Sequence, residues 1–212
     1  MRRLSGLVPA AFVFVCREVN KMEAWIRRID IFSKSIGHTF AWCVLILTAS
    51  TCYEVFMRYV LNRPTDWAFD MSYMMYGALF MMSGAYAVSR NSHVRGDFIY
   101  RKWSNRTQAK VDLTLYIIFY FPAIFAMVYT GASYALDSAR ILESSVNSPA
   151  GVPVWPLKAV IFFAGTTLLI AGISEVLRCL VCIRTGNWMP RGGDIEELEQ
   201  VLLKQHAEKE QL

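Results

Sequence analysis

Four ionisable side chains lie inside or beside long apolar runs between positions 54 and 70: Glu54, Arg58, Arg63 and Asp70. Charge at membrane depth costs roughly 2.5 kcal/mol or more per residue, so such positions mark a function or a partner. Glu54 and Arg58 stand four apart, the spacing at which opposite charges meet on one helix face. Two readings stay open for them: mutual neutralisation near a wet surface, or an anchor for a second protein. Asp70 begins the second apolar run, where a carboxylate complements a helix N-terminus; capping is simpler there than an ion site. Arg63 and Trp67 lie in the turn Asn62 to Trp67 that joins the two runs. Glu54, Arg58, Arg63, Trp67 and Asp70 are therefore the candidate partner-facing residues.

Other chemistries lack their residues. The histidines are His38, His93 and His206, at the start of an apolar run, in a basic loop and in the tail. Axial haem ligands facing each other within a bundle are absent from that set, as is a base buried beside a serine for intramembrane proteolysis. Of five cysteines, Cys179 and Cys182 form a C-x-x-C at helical spacing. With no second ligand pair they read as two small apolar residues on a helix face, and an odd count argues against a disulfide framework. No glycine-rich phosphate loop occurs. The expectation is a protein with no catalytic, metal or cofactor site.

Four elements must position the charged stretch. The 212 residues are 55% hydrophobic with a mean hydropathy of +0.32, above the roughly 45–50% usual for a soluble domain. Apolar runs predict spans at about 36–61, 69–89, 112–136 and 156–181, each near the roughly 20 residues that cross a bilayer. Pro122 should kink the third locally. Gly77 and Gly84 share one face of the second, and Gly165 and Gly172 one face of the fourth, as in close helix packing. Of 22 Lys and Arg residues, 18 fall in 1–35, in 90–110 and from 178 onward. Basic loops stay in the cytoplasm, so both termini and the middle loop are expected inside. The turn at 62–67 and the segment 137–155 are expected outside. A formal charge of +5 is thus topology, and no nucleic-acid motif accompanies it.

Ahead of the first span, Met22, Trp25, Ile26, Ile29, Phe32, Ser33 and Ile36 recur at helical spacing, with Arg27 and Arg28 opposite. This predicts an amphipathic helix lying in the membrane surface. Trp25, Arg27, Arg28, Arg90, His93 and Trp103 are the expected surface anchors, with membrane lipid as their partner. Residues 1–21 read as a lead-in with a signal-like apolar run but no small-x-small cleavage site, or as a start placed before a true start at Met22. Residues 185–212 read as a breaker-rich linker and a short amphipathic tail, with Asp194 and Glu197 as a capping box. The fold class is an all-α integral membrane protein of four transmembrane helices, preceded by the interfacial helix. The membrane domain covers 22–184. No internal repeat of the kind secondary carriers show is evident.

The run Arg58-Tyr-Val-Leu-Asn-Arg-Pro-Thr-Asp-Trp-Ala-Phe-Asp70, then Gly84-Ala-Tyr-Ala-Val, His93-Val-Arg-Gly-Asp97 and Ser145 to Lys158, resembles the DctQ-like family, the small membrane subunit of tripartite ATP-independent periplasmic transporters. The resemblance covers about Met22 to Cys182. It implies a subunit of the bacterial inner membrane that braces a large multi-span carrier subunit. It also implies help in docking a periplasmic substrate-binding protein, with sodium-driven uptake of an organic acid or similar small solute. Many relatives carry Trp-x-x-Glu where this chain has Trp67-Ala-Phe-Asp70; the Asp form resembles a subgroup associated with mannitol or chloroaromatic compounds. From the residues alone, the competing reading is a stand-alone four-helix membrane protein such as a small channel or a redox anchor.

Overall fold

The computed structural model describes residues 10–90, 100, 102–147 and 149–189. Their regular elements are helices: α1 (Ala10–Ala41), α2 (Cys43–Tyr59), α3 (Ala68–Ser89), α4 (Asn105–Leu115), a π-helical turn (Tyr116–Tyr120), α5 (Phe121–Arg140) and α6 (Trp155–Thr185). One isolated bridge pairs Ser144 with Pro153 between α5 and α6. Among the described residues, three stretches are long and apolar enough to cross a membrane: Lys21–Tyr59, Asn105–Arg140 and Trp155–Thr185. Residues 1–9 of the expected lead-in at 1–21, His93 and the capping box at 194–197 lie outside the described residues, and the remainder of the lead-in belongs to α1.

The amphipathic segment and the first apolar run form nearly one rod. Trp42 separates α1 from α2 while keeping helical dihedrals, φ −62° and ψ −22°. Ile26 and Ser33 of α1 are buried, as the periodicity predicts, and Trp25 and Ile31 are exposed. Helix α3, at 22 residues, is shorter than any of the three long apolar stretches. Tyrosines, serines and Asp70 dilute its apolar content. It can carry them because it packs against α1, α2 and α6 and buries much of its surface in protein.

Pro122 leaves its mark one turn upstream. It lacks an N–H and its ring crowds the preceding turn, so regular i to i−4 bonding fails there. The chain widens into the π-helical turn, and the Phe121 N–H reaches back five residues to the Tyr116 carbonyl. Such single π turns are the common form of this defect.

Helices approach closely where side chains vanish. A Cβ on Gly172 would lie 2.3 Å from Cε1 of Tyr120, and one on Gly165 would lie 2.9 Å from Val128. Both glycines therefore admit the α4–α5 rod. Gly77 and Gly84 face Leu157 and Leu168 of α6. The two glycine faces read from the sequence are thus real contact faces. Tyr120 in turn donates its hydroxyl to the Leu168 carbonyl, 2.8 Å away. Cys179 and Cys182 are buried and packed with Ala109, as small apolar residues would be.

Helix α2 is the opposite case. Ser50 is its one buried residue, while Val44, Leu45, Ile46, Val55 and Phe56 are all exposed. An apolar surface that broad requires lipid or another protein against it.

Candidate functional site

The charged stretch forms a corner between α2 and α3. Past Val60 the chain turns through Asn62, whose φ of 49° is a left-handed conformation that asparagine tolerates. The Arg63 N–H bonds the Met57 carbonyl at 3.0 Å. Glu54 then ties the turn down. One carboxylate oxygen accepts from Nε and Nη2 of Arg58 at 2.9 and 2.6 Å. The other accepts the Thr65 N–H at 3.0 Å and the Thr65 hydroxyl. Glu54 thus spends one oxygen on its own helix and one on the far side of the turn. Tyr53 stacks on Trp67 with ring centroids 6.0 Å apart, reinforcing the same junction. Arg63 and Trp67 remain exposed on it.

Asp70 faces inward. It is fully buried, and Ser145 donates to its Oδ1 at 2.8 Å. The helix N-cap is Trp67, which makes no side-chain capping bond. In the first turn a carboxylate also meets the favourable end of the helix dipole. The same Ser145 hydroxyl accepts the Asn147 N–H at 3.1 Å, and its own N–H bonds the Val152 carbonyl at 2.7 Å. Asp70 therefore fastens the α5–α6 segment to α3.

A second fastening lies beside it. Lys158, at the start of α6, donates to the Glu143 carboxylate and sits 3.9 Å from the Tyr134 ring centroid. The Lys158 ammonium holds the Glu143 carboxyl below the usual carboxylate range. The α2–α3 corner and the α5–α6 segment are thus tied together at one end of the bundle. The exposed side chains of these two segments are apolar as well as charged, Ile141, Leu142, Val146 and Trp155 on one and Arg63 and Trp67 on the other.

The opposite end has its own ionic lock. Arg178 of α6, 1% exposed, donates to Asp30 of α1 at 2.5 Å and lies 3.4 Å from Glu175. Ser174 adds a bond to Asp30 at 3.4 Å. Nearby, Asn105 bonds the Gly186 carbonyl at 3.2 Å and Trp188 bonds Gln108 at 3.1 Å. Of the expected surface anchors, Trp25 is exposed with the Arg28 guanidinium 5.8 Å from its ring centroid, and Arg27 pairs with Glu23 at 3.6 Å. Arg90 lies 5.5 Å over Tyr86, and Trp103 is exposed beside Tyr100.

Sequence reasoning brought Glu54 and Arg58 together but missed Thr65, Ser145 and the Asp30–Arg178 pair. Thr65 and Ser145 carry no charge to draw attention. Asp30 did leave a signal: it is an acid four residues from Ile26, inside the face that becomes buried.

Among the described residues no group of three or more His, Cys, Asp and Glu side chains could hold a metal ion. What the corner end offers is a stiff, partly apolar platform on a membrane protein. No curated protein matches the chain. Residues 47–182, which contain the corner, both fastenings at that end and nearly all of α6, match the family described as tripartite ATP-independent periplasmic transporters, DctQ component; the chain belongs to that family, a membrane component of those transporters.

Proposed function

We propose that this chain is the small, non-catalytic subunit that braces the large multi-span carrier of a tripartite transporter and presents its corner end to the periplasmic substrate-binding protein. The family match across 47–182 carries the reading. In this arrangement α3 is a fourth membrane crossing, sheltered by its neighbours. Both termini are then cytoplasmic and the corner faces the periplasm of a bacterial inner-membrane protein. The placement of 18 of 22 basic residues on the other side supports that orientation. The exposed apolar face of α2 suits a carrier or lipid contact, and the fastened corner suits a partner that docks and leaves. Sodium-driven uptake of an organic acid or similar small solute follows from the family resemblance.

Affinity purification of the full-length chain from its native membrane tests the scaffold role. A large multi-span protein is expected to co-purify in a fixed ratio; recovery of the chain without one overturns the proposal. Uptake by this chain reconstituted alone, or haem absorbance in the pure protein, would also overturn it. For orientation, cysteine placed at Asn62 should react with an impermeant reagent from outside and cysteine at Asn105 should not; the reverse pattern refutes the topology.

A further inference from the structure

A cavity of about 250 Å³ opens between α1 and the C-terminal end of α3, at the end of the bundle away from the corner. Arg27, Asp30, Ile31, Lys34, Ser89 and Arg90 line it. Arg27, Ile31 and Lys34 follow i, i+4, i+7 spacing, so one face of α1 supplies two cations about 10 Å apart along the axis. Arg90 supplies a third from α3, its guanidinium placed by the Tyr86 ring at 5.5 Å. The single acid in the lining, Asp30, is bound to Arg178 at 2.5 Å and is held to that side of the cavity. Ser89 directs its hydroxyl to the Tyr86 carbonyl. The lining therefore carries three cations against one acid, with Glu23 3.6 Å from Arg27 just outside it, and Ile31 in the lining is exposed, as are Trp25 and Phe32 of the same helix.

The geometry points to a binding site for the phosphodiester headgroup of an anionic membrane phospholipid, gripped by Arg27, Lys34 and Arg90. Cations spaced around a cavity match a phosphate and the negative headgroup attached to it. Basic pockets between membrane helices are where such headgroups bind. The apolar edge at Ile31 distinguishes a lipid from a free anion, because only the lipid has chains to lay against it. The site would join α1 to the C-terminal end of α3, a helix that also packs against α2 and α6. A lipid there would act as a removable third fastening next to the Asp30–Arg178 lock. This inference needs α1 to lie at a membrane surface but does not depend on the transporter role.

The test uses full-length protein in a neutral detergent and reads thermal stability and retained lipid. Short-chain phosphatidylglycerol should raise the melting temperature of the unaltered protein, and short-chain phosphatidylcholine or inorganic phosphate at equal concentration should not. Equal stabilisation by inorganic phosphate would make this a simple anion site, and no selective effect of phosphatidylglycerol would remove the site altogether. Either result overturns the proposal without any variant. Lys34→Gln and Arg90→Gln should each weaken phosphatidylglycerol binding roughly fivefold, and together roughly 30-fold. Arg140→Gln, an equal change of charge at the far end, should leave it intact. Lys34→Arg with Arg90→Lys should keep most of the affinity. If Arg140→Gln weakens binding as much as the pocket variants do, net charge and not this cavity is responsible.

Discussion

Replacement of Arg178 by methionine removes one side chain and takes a cation away from two carboxylates. The guanidinium is 1% exposed and lies between Asp30, 24% exposed at its side chain, and Glu175, 2% exposed. Methionine keeps most of the volume, so the packing loss is small and the electrostatic loss dominates. Glu175 then retains a charge in the bundle without the guanidinium 3.4 Å from it. Removing one partner of a buried pair costs about 3–5 kcal/mol, most of it the desolvation of the ion left behind. Asp30→Asn should cost less, about 1.5–3 kcal/mol, because it removes a charge-assisted hydrogen bond at a partly wet site. Combining Arg178→Met with Asp30→Asn and Glu175→Gln should restore much of the loss, since no uncompensated charge remains. Thermal unfolding in detergent reads the order directly. At about 2–4 °C per kcal/mol for a chain of this size, Arg178→Met should lower the midpoint by roughly 6–20 °C. A smaller drop for Arg178→Met than for Asp30→Asn, or a triple variant worse than Arg178→Met, would refute a desolvated lock and indicate a hydrated one.

Three further outcomes follow from the geometry. Gly172→Ala places a Cβ 2.3 Å from the Tyr120 ring, and overpacking of this kind should cost about 1–3 kcal/mol in the same assay; an unchanged midpoint would mean that α5 shifts freely. The Glu143 carboxyl is held low in the folded state by Lys158, so its contribution is complete above the ordinary carboxylate value near 4.5 and is lost as pH falls through the lower folded value. Glu143→Gln should therefore flatten the acid limb of the stability profile. Thr65→Val removes the hydroxyl that reaches Glu54 while keeping shape; it should raise protease cleavage between Val60 and Trp67 severalfold with the remaining chain uncut, and equal cleavage rates would show that the corner does not depend on this bond.

The helices were legible because each rests on a local pattern. Alternation of apolar and basic blocks located α2, α3, the long rod through α5, and α6 to within a few residues except where α1 runs on to Ala41 and α4 starts early at Asn105. The glycine faces were legible for the same reason: spacing of seven fixes a face whatever packs on it. Local patterns cannot reveal a partner distant in sequence. Ser145 meets Asp70 across 75 residues and Arg178 meets Asp30 across 148. Pro122 announced a distortion, but its form, a widened turn at Tyr116–Tyr120, depends on how the backbone relaxes.

Glu54 and Asp70 show what the tertiary contacts change in the reading of a charge. Both were candidates for reaching outward, and both reach inward, Glu54 to Arg58 and Thr65 and Asp70 to Ser145. A carboxylate whose oxygens are already occupied cannot give up those bonds to a transient partner without loosening the corner. Under the proposed docking role, the exposed groups available to a partner are the outer part of Arg58, Arg63, Trp67 and, on the α5–α6 segment, Ile141, Leu142 and Val146. Partner affinity should then divide into two classes of effect. Changes at Arg63 or Trp67 should weaken docking while leaving the fold intact. Changes at Glu54 or Asp70 should weaken docking only to the extent that they also soften the corner, so that binding and protease resistance fall together. Arg63→Glu that leaves docking unaltered, alongside Glu54→Gln that abolishes it with the corner still protected, would return the direct contact to Glu54.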